Sequence, residues 1–258
     1  MRLLLLILTF LPALACAGDL AREQRIAEQI RDAILDGEPV TLEASGQPFL
    51  GIHQRTERKP ARGAALILHG RGANPDWLEV IQPLRTGLPE HGWDTLAIQL
   101  PVASEGAGEA EWRATLDEAL PRIRAALDYL EKKGMKNVVL VAHSFGNGAV
   151  ARFLAGGPPP GVTAWVGIGM GDDPAILDTL RKLEKLPVLD LYGEQDLPAV
   201  REGARARRLA ARDAGNTDYT QRELPGADHF FDGQEGLLLS TVRAWLARVA
   251  SGTERPRP

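Results

Sequence analysis

From Asp19 onward the chain switches repeatedly between two hydrophobic periods. Asp19–Asp36 places Leu20, Ala27, Ile30 and Ile34 on one face, with Asp19 as N-cap and Gly37 as stop, and reads as an amphipathic helix. Val40–Ala44 and Phe49–Gln54 read as short strands around a Ser45-Gly46-Gln47-Pro48 turn. Strand-length apolar runs and helix-period stretches then alternate. The pattern predicts strands at Ala64–Leu68, Asp94–Leu100, Asn137–Ala142, Val162–Ile168, Val188–Tyr192 and Tyr219–Leu224. Between and after them it predicts helices at Trp77–Leu88, Glu109–Lys132, Phe145–Ala155, Pro174–Leu183, Ala199–Ala214 and Gly236–Val249. A run such as Asn-Val-Val-Leu-Val-Ala at Asn137–Ala142 has no polar face, so both its sides must be covered. The expected architecture is α/β, a mostly parallel sheet with helices on both faces. Room for one helix only between Val162–Ile168 and Val188–Tyr192 rules out a large cap domain there.

Residues 1–17 break the pattern. Arg2 is the only charge, Leu3–Ala17 is apolar apart from Thr9, and Ala15-Cys16-Ala17 is a small-x-small cleavage site, the order of an export signal. The run is short for a permanent membrane span; the competing reading is a buried first strand. Ala13-Leu14-Ala15-Cys16 also resembles a lipoprotein box, so cleavage before Cys16 would anchor the protein by lipid, and cleavage after Ala17 would release it. The expected organisation is therefore a signal peptide at 1–17, one domain at 18–250 and a flexible tail at 251–258. The expected location is the periplasm, with a lipid-anchored envelope protein as the alternative, and membrane contact only if Cys16 is lipidated.

Composition narrows the function classes. At 258 residues, 44% hydrophobic and 25% charged, the chain can bury a core and is not disordered. A net charge of −4 argues against nucleic acid as partner. Five histidines and one cysteine leave no cysteine-rich zinc site and no intramolecular disulfide.

The chemistry concentrates at strand ends. Val138–Gly148 reads V-V-L-V-A-H-S-F-G-N-G: a buried strand, Ser144 between the small residues Ala142 and Gly146, then a helix. This is the strand–Ser–helix elbow with Ala at the first Gly position; small neighbours are needed because the turn is tight. The helix N-terminus behind it favours negative charge on a reacting oxygen. The plainer reading of Ser144 is a helix N-cap. Among the histidines His53, His69, His91, His143 and His229, only His229 follows the last strand, where a base for this elbow belongs. His143 reads as packing, and His69 as packing or hydrogen-bonding beneath its loop. The acid belongs after a strand between Ser and His; Asp196 fits, with Asp190 inside the strand and Glu194 as competitors. His69-Gly70-Arg71-Gly72 follows Ala64–Leu68, so the backbone N–H groups of Arg71 and Phe145 are candidate oxyanion donors, against the reading of a simple glycine turn. The Arg71 side chain is a further candidate to meet an acidic substrate group.

Taken together, L-I-L-H-G-R-G, V-A-H-S-F-G-N-G, L-Y-G-E-Q-D and P-G-A-D-H-F-F, in that order, resemble the α/β-hydrolase superfamily. N-P-D-W before I-Q-P-L-R, and H-G-W-D-T-L-A-I-Q-L-P, more narrowly resemble a branch of exported Gram-negative proteins catalogued as an α/β-hydrolase domain of unknown function. The resemblance implies the fold and an envelope location but no substrate. The expected function is a serine hydrolase cleaving a small-molecule or polymer-borne ester through an acyl-enzyme on Ser144, with Asp196 and His229 completing the triad. No metal or organic cofactor is called for. A thioesterase, peptidase or acyltransferase would use the same residues, and a non-catalytic envelope binding protein would keep only the scaffold. Phe145, Phe230, Phe231 and Trp77 are candidates for either pocket or core.

Overall fold

The structure, a computed structural model, describes residues 18–250; the expected signal with Cys16 and the tail at 251–258 lie outside the described residues. Eight strands form one sheet: β1 (Glu38–Ala44), β2 (Gln47–Gln54), β3 (Gly63–Leu68), β4 (Trp93–Ile98), β5 (Val138–His143), β6 (Val162–Ile168), β7 (Val188–Gly193) and β8 (Tyr219–Leu224). Their order is β1-β2-β4-β3-β5-β6-β7-β8. β2 pairs antiparallel with both β1 and β4, and the other pairs are parallel. The β1–β2 hairpin turns on Ser45 and Gly46 alone, whose φ values of 51° and 75° suit the right-handed twist of a two-residue turn. It is therefore tighter than the four-residue turn the sequence pattern suggests.

Side chains alternate across the sheet. In β3, Ala64, Leu66 and Leu68 enter one core, and Ala65 and Ile67 the other. The first core lies under α3 (Glu109–Lys132), α4 (Gly146–Leu154), α5 (Pro174–Leu180) and α6 (Pro198–Asp213). The second lies under α2 (Ile81–Gly87) and α7 (Glu235–Val249), while α1 (Leu20–Ala33) packs Ile26, Ala27, Ile30 and Ile34 on Leu50 and Ile52 of β2. Full burial of such a Leu or Ile stabilises by about 1.5–3 kcal/mol, which is what seats these helices.

α2 starts later than its apolar spacing suggests. Asn74 Oδ1 accepts from Asp76 N at 2.8 Å, and the Asp76 carboxylate pairs with the buried Arg85 guanidinium. That turn takes Trp77–Glu79 out of the helix. Among the described residues no helix is long and apolar enough to cross a membrane. Only the seven-residue helix α5 stands between β6 and β7, so no large cap is inserted there.

Candidate active site

The chain reverses direction across the sheet between β3 and β5, and the carboxyl ends of those strands open a crevice there, the place where an α/β sheet gathers a site. Ser144 follows β5 directly. Its φ of 51° lies in the left-handed region, a conformation that costs a non-glycine residue about 1–3 kcal/mol. The surroundings hold it there. Ser144 N donates to Ile168 O at 2.8 Å, and the buried Asn147 amide donates to Ser144 O at 3.1 Å and Ile168 O at 3.0 Å. Gly146 lets the elbow sit against β3: a Cβ there would lie 2.7 Å from His69 O and 3.0 Å from Leu68 O. Ala142, fully buried, is accommodated at the position where the motif usually has Gly.

The structure brings Ser144, Asp196 and His229 together from three separate loops. Ser144 Oγ is 2.9 Å from His229 Nε2, and His229 Nδ1 is 2.6 Å from Asp196 Oδ1. Asp196 also accepts from Leu197 N at 2.7 Å and Gly193 N at 3.2 Å. Burial pushes its carboxyl up, but the His229 hydrogen bond and charge, with those two N–H groups, outweigh this and hold it below the ordinary value. Gly169 leaves room for the imidazole, because a Cβ would stand 2.9 Å from His229 Cε1. Arg71 and Phe145 both border the crevice, and among the described residues neither backbone N–H donates to a protein acceptor.

The competing acids are elsewhere. Asp190 points from β7 into the first core, bound by Arg207 Nε at 2.8 Å, Tyr219 Oη at 2.6 Å and Gln221 Nε2 at 2.8 Å. Glu194 accepts from Gly226 N at 2.8 Å. His143 is buried beside the site and donates from Nε2 to His229 O at 3.0 Å. Burial and then the nearby His229 push its pKa down to about 4, so it places no positive charge next to His229 near neutral pH. His69 sits beneath the Gly70-Arg71 loop, bonding Gly70 O through Nδ1 and accepting from Leu100 N at 3.0 Å; burial lowers its pKa to about 4.

A cavity of about 240 Å³ beside Ser144 has apolar walls from Phe145, Ile176, Leu197 and Val200. Its rim carries Arg71, Glu109, Arg113, Asp172 and Asp173. The Arg71 guanidinium bonds Glu109 at 2.7 Å and lies 5.0 Å over the Trp112 ring, so within this chain its acidic partner is Glu109. The Arg113 hydrogen bond, followed by Arg71, holds the Glu109 carboxyl below its ordinary range. Of the aromatic candidates, Phe145 lines the cavity, Phe231 is core, Trp77 packs on the second core and Phe230 is exposed beside His229. Among the described residues no group of three or more His, Cys, Asp or Glu side chains is placed to hold a metal.

Residues 17–119 and 104–248 match the family described as Protein of unknown function (DUF3530). The chain belongs to this family. No curated protein matches it. This DUF3530 chain has the α/β-hydrolase fold, shared with three solved structures of low sequence identity. A Coxiella burnetii alpha-beta serine hydrolase homologue is 18% identical, with TM-score 0.64, 83% of this chain and 100% of that one covered. A dienelactone hydrolase from Anabaena variabilis is 21% identical, with TM-score 0.65 and coverages of 83% and 98%. A Xanthomonas campestris serine hydrolase described as without lid is 15% identical, with TM-score 0.61 and coverages of 84% and 96%.

Asn147 is the brace that reading the DUF3530 sequence alone missed. Its signal is a lone polar residue in the first turn of a helix that opens Gly-Asn-Gly-Ala-Val-Ala. The rim charges at Glu109 and Arg113 left no comparable signal, since on α3 they look like any solvated helix face.

Proposed function

We propose that this protein is a serine hydrolase that cleaves a carboxylic ester in the bacterial envelope. The observation that carries the reading is the unbroken line Asp196–His229–Ser144, with bonds of 2.6 and 2.9 Å, ending on a strained elbow. In this mechanism His229 Nε2 takes the Ser144 Oγ proton as Oγ attacks the ester carbonyl. The Arg71 and Phe145 N–H groups receive the resulting oxyanion, each such donor contributing about 10²–10³-fold in rate. His229 then protonates the departing alcohol, and water releases the acyl group from Ser144 by the same steps in reverse. Asp196 keeps the His229 Nδ1 proton in place throughout.

The small apolar cavity suits a short acyl group better than a lipid chain, and the half-exposed Leu197 at its mouth leaves it accessible to soluble or polymer-borne esters. A serine hydrolase without lid is also what one fold neighbour is described to be. A fluorophosphonate probe on the purified protein tests the reading. Wild type is expected to label, while Ser144→Ala and His229→Ala do not. Folded wild type that stays unlabelled would return the protein to the class of binding scaffolds, and label surviving Ser144→Ala would place the nucleophile elsewhere.

A further inference from the structure

The start of the described chain is tied to the body of the protein at a point where the sequence also carries a cleavage signal. Gly18 N lies 3.2 Å from Glu118 Oε2 of α3, and Asp19 N donates to Val102 O at 2.7 Å. Residue 18 is tightly surrounded: a Cβ would sit 3.0 Å from Glu23 Oε1, 3.1 Å from Glu118 Oε2 and 3.4 Å from Pro101 Cβ. The Glu118 carboxylate therefore holds the amide that follows Ala15-Cys16-Ala17, and the Glu23 carboxylate lies beside the same residue. Burial raises the Glu23 carboxyl above its ordinary value against the lowering pull of Arg122 and Val102 N–H, and the nearby Glu118 charge adds to the rise.

We propose that the Ala17–Gly18 bond is the processing site of this protein, and that the α-ammonium it releases at Gly18 docks as a structural cation on Glu118, beside Glu23. Hydrolysis by an envelope signal peptidase breaks the Ala17 C–Gly18 N bond. Water gives its hydroxyl to the Ala17 carbonyl and a proton to Gly18 N, and the new amine takes a second proton from solvent. The hydrogen bond from an uncharged amide to the Glu118 carboxylate becomes an ion pair, charged on both sides. The positive end of the α1 dipole opposes a cation there, and the two carboxylates with the Asp19 cap, bonded to Arg22 N at 2.9 Å, offset it.

The consequence reaches toward the candidate active site. Glu23 also bonds the Arg122 guanidinium at 2.7 Å and accepts from Val102 N at 2.9 Å. Arg122 in turn donates to Gln99 O at 3.1 Å, next to Leu100, whose N–H is held by His69 beneath the Gly70-Arg71 loop. Processing thus adds its charge to the polar layer that backs this loop.

The mature N-terminus is read first, by intact mass and N-terminal sequencing of the exported protein recovered from the envelope. A chain starting at Gly18 is expected. A diacylglyceryl Cys16, or any other start, overturns the processing site. Docking is read separately on two proteins released from a fusion, one starting at Gly18 and one at Ala17, each with and without Glu118→Gln. The Gly18 start is expected to melt about 2–4 °C above the Ala17 start, the shift of one modest ion pair in a domain of this size. That gap is expected to close in Glu118→Gln. Equal melting temperatures for the two starts, or a gap that survives Glu118→Gln, overturn the docking whatever the outcome of the probe labelling.

Discussion

Two buried aspartates six positions apart in sequence do different work. Asp190 lies inside β7, fully buried, with Arg207, Tyr219 and Gln221 closed around it. Asp196 lies just past the same strand, also buried, but its imidazole partner continues to Ser144 in the crevice. Both carboxylates are desolvated and both are paired. What separates them is where the partner leads. Arg207 passes on to the carbonyls of Met170 and Val200, and so locks α6 to the loop after β6. His229 passes on to a hydroxyl that solvent and substrate can reach. A buried acid–base pair is thus no evidence of chemistry until its far end is traced.

The largest effect expected from breaking this contrast is on activity. Asp196→Asn keeps the shape but is expected to hold the wrong His229 tautomer, with a loss of roughly 10⁴-fold in kcat, about 5.5 kcal/mol of transition-state stabilisation. Its urea midpoint should move far less. The measurement is hydrolysis of a short-chain chromogenic ester beside a denaturation curve. A variant that loses stability and keeps its rate would make Asp196 the structural member of the two.

Asp190→Asn is expected to do the converse. It leaves Arg207, with one side-chain nitrogen already lacking a partner, charged and buried. Removing one member of such a pair costs on the order of 3–5 kcal/mol. Because the whole fold is worth only about 5–15 kcal/mol, much of the variant should unfold in mild urea. Probe labelling per folded molecule should persist. The double change Asp190→Leu with Arg207→Met should recover part of the loss, since a buried pair replaced together leaves no lone charge. A double variant no better than the single would mean that the carbonyls held by Arg207, rather than its charge, set the cost.

Acid tests the surroundings of the site through two buried histidines. His69 and His143 are neutral in the fold with pKa values near 4, whereas in the unfolded chain they take up protons near 6.5. The unfolded state therefore binds more protons between those values, and stability falls as pH drops through that window. The loss is on the order of 3 kcal/mol for each histidine by pH 4. The contribution from Asp196 has the usual carboxylate sign: present above its unfolded pKa and lost only as pH falls further toward its depressed folded value. Urea curves at pH 7.5 and 4.5 check this. His143→Gln should be weaker at pH 7.5 yet lose less on acidification, and an unchanged pH slope would remove His143 from the account.

Much of the contrast was legible before any coordinates. Strands with no polar face announced a doubly covered sheet, and the order Ser144, Asp196, His229 falls at the ends of β5, β7 and β8. Asp190 stayed a competitor to Asp196 in the sequence, because nothing local says that Arg207, Tyr219 and Gln221 close around it. Pairings that depend on distant chain were not legible. Nothing local says that β2 runs antiparallel to β4, that Glu23 is drawn inward by Arg122 from a helix 99 positions away in sequence, or that Arg71 meets Glu109. The late start of α2 was missed for a different reason: Trp77 keeps helical spacing while Asn74 turns the backbone away. Hydrophobic period reports which face is buried, and it is blind to a side chain that competes for backbone hydrogen bonds.

The exposed pair at the rim supplies the smallest expected effect and the sharpest control. Glu109 bonds both Arg71 and Arg113 with short contacts of 2.7 and 2.9 Å, close to the 2.6 and 2.8 Å of those around Asp190. If bond length set the worth of an ion pair, Glu109→Gln would cost as much as Asp190→Asn. Its side chain is 59% exposed, however, so water and salt take up most of the interaction. The expected change is within about 0.5 kcal/mol, and smaller still at high salt. Arg71 keeps its place over Trp112 through the ring, which does not depend on Glu109. Urea midpoints of wild type and Glu109→Gln at low and high salt make the comparison. A loss above about 1 kcal/mol that persists in salt would show that the rim is coupled to the buried loop behind it. Burial would then no longer suffice to rank the pairs of this protein.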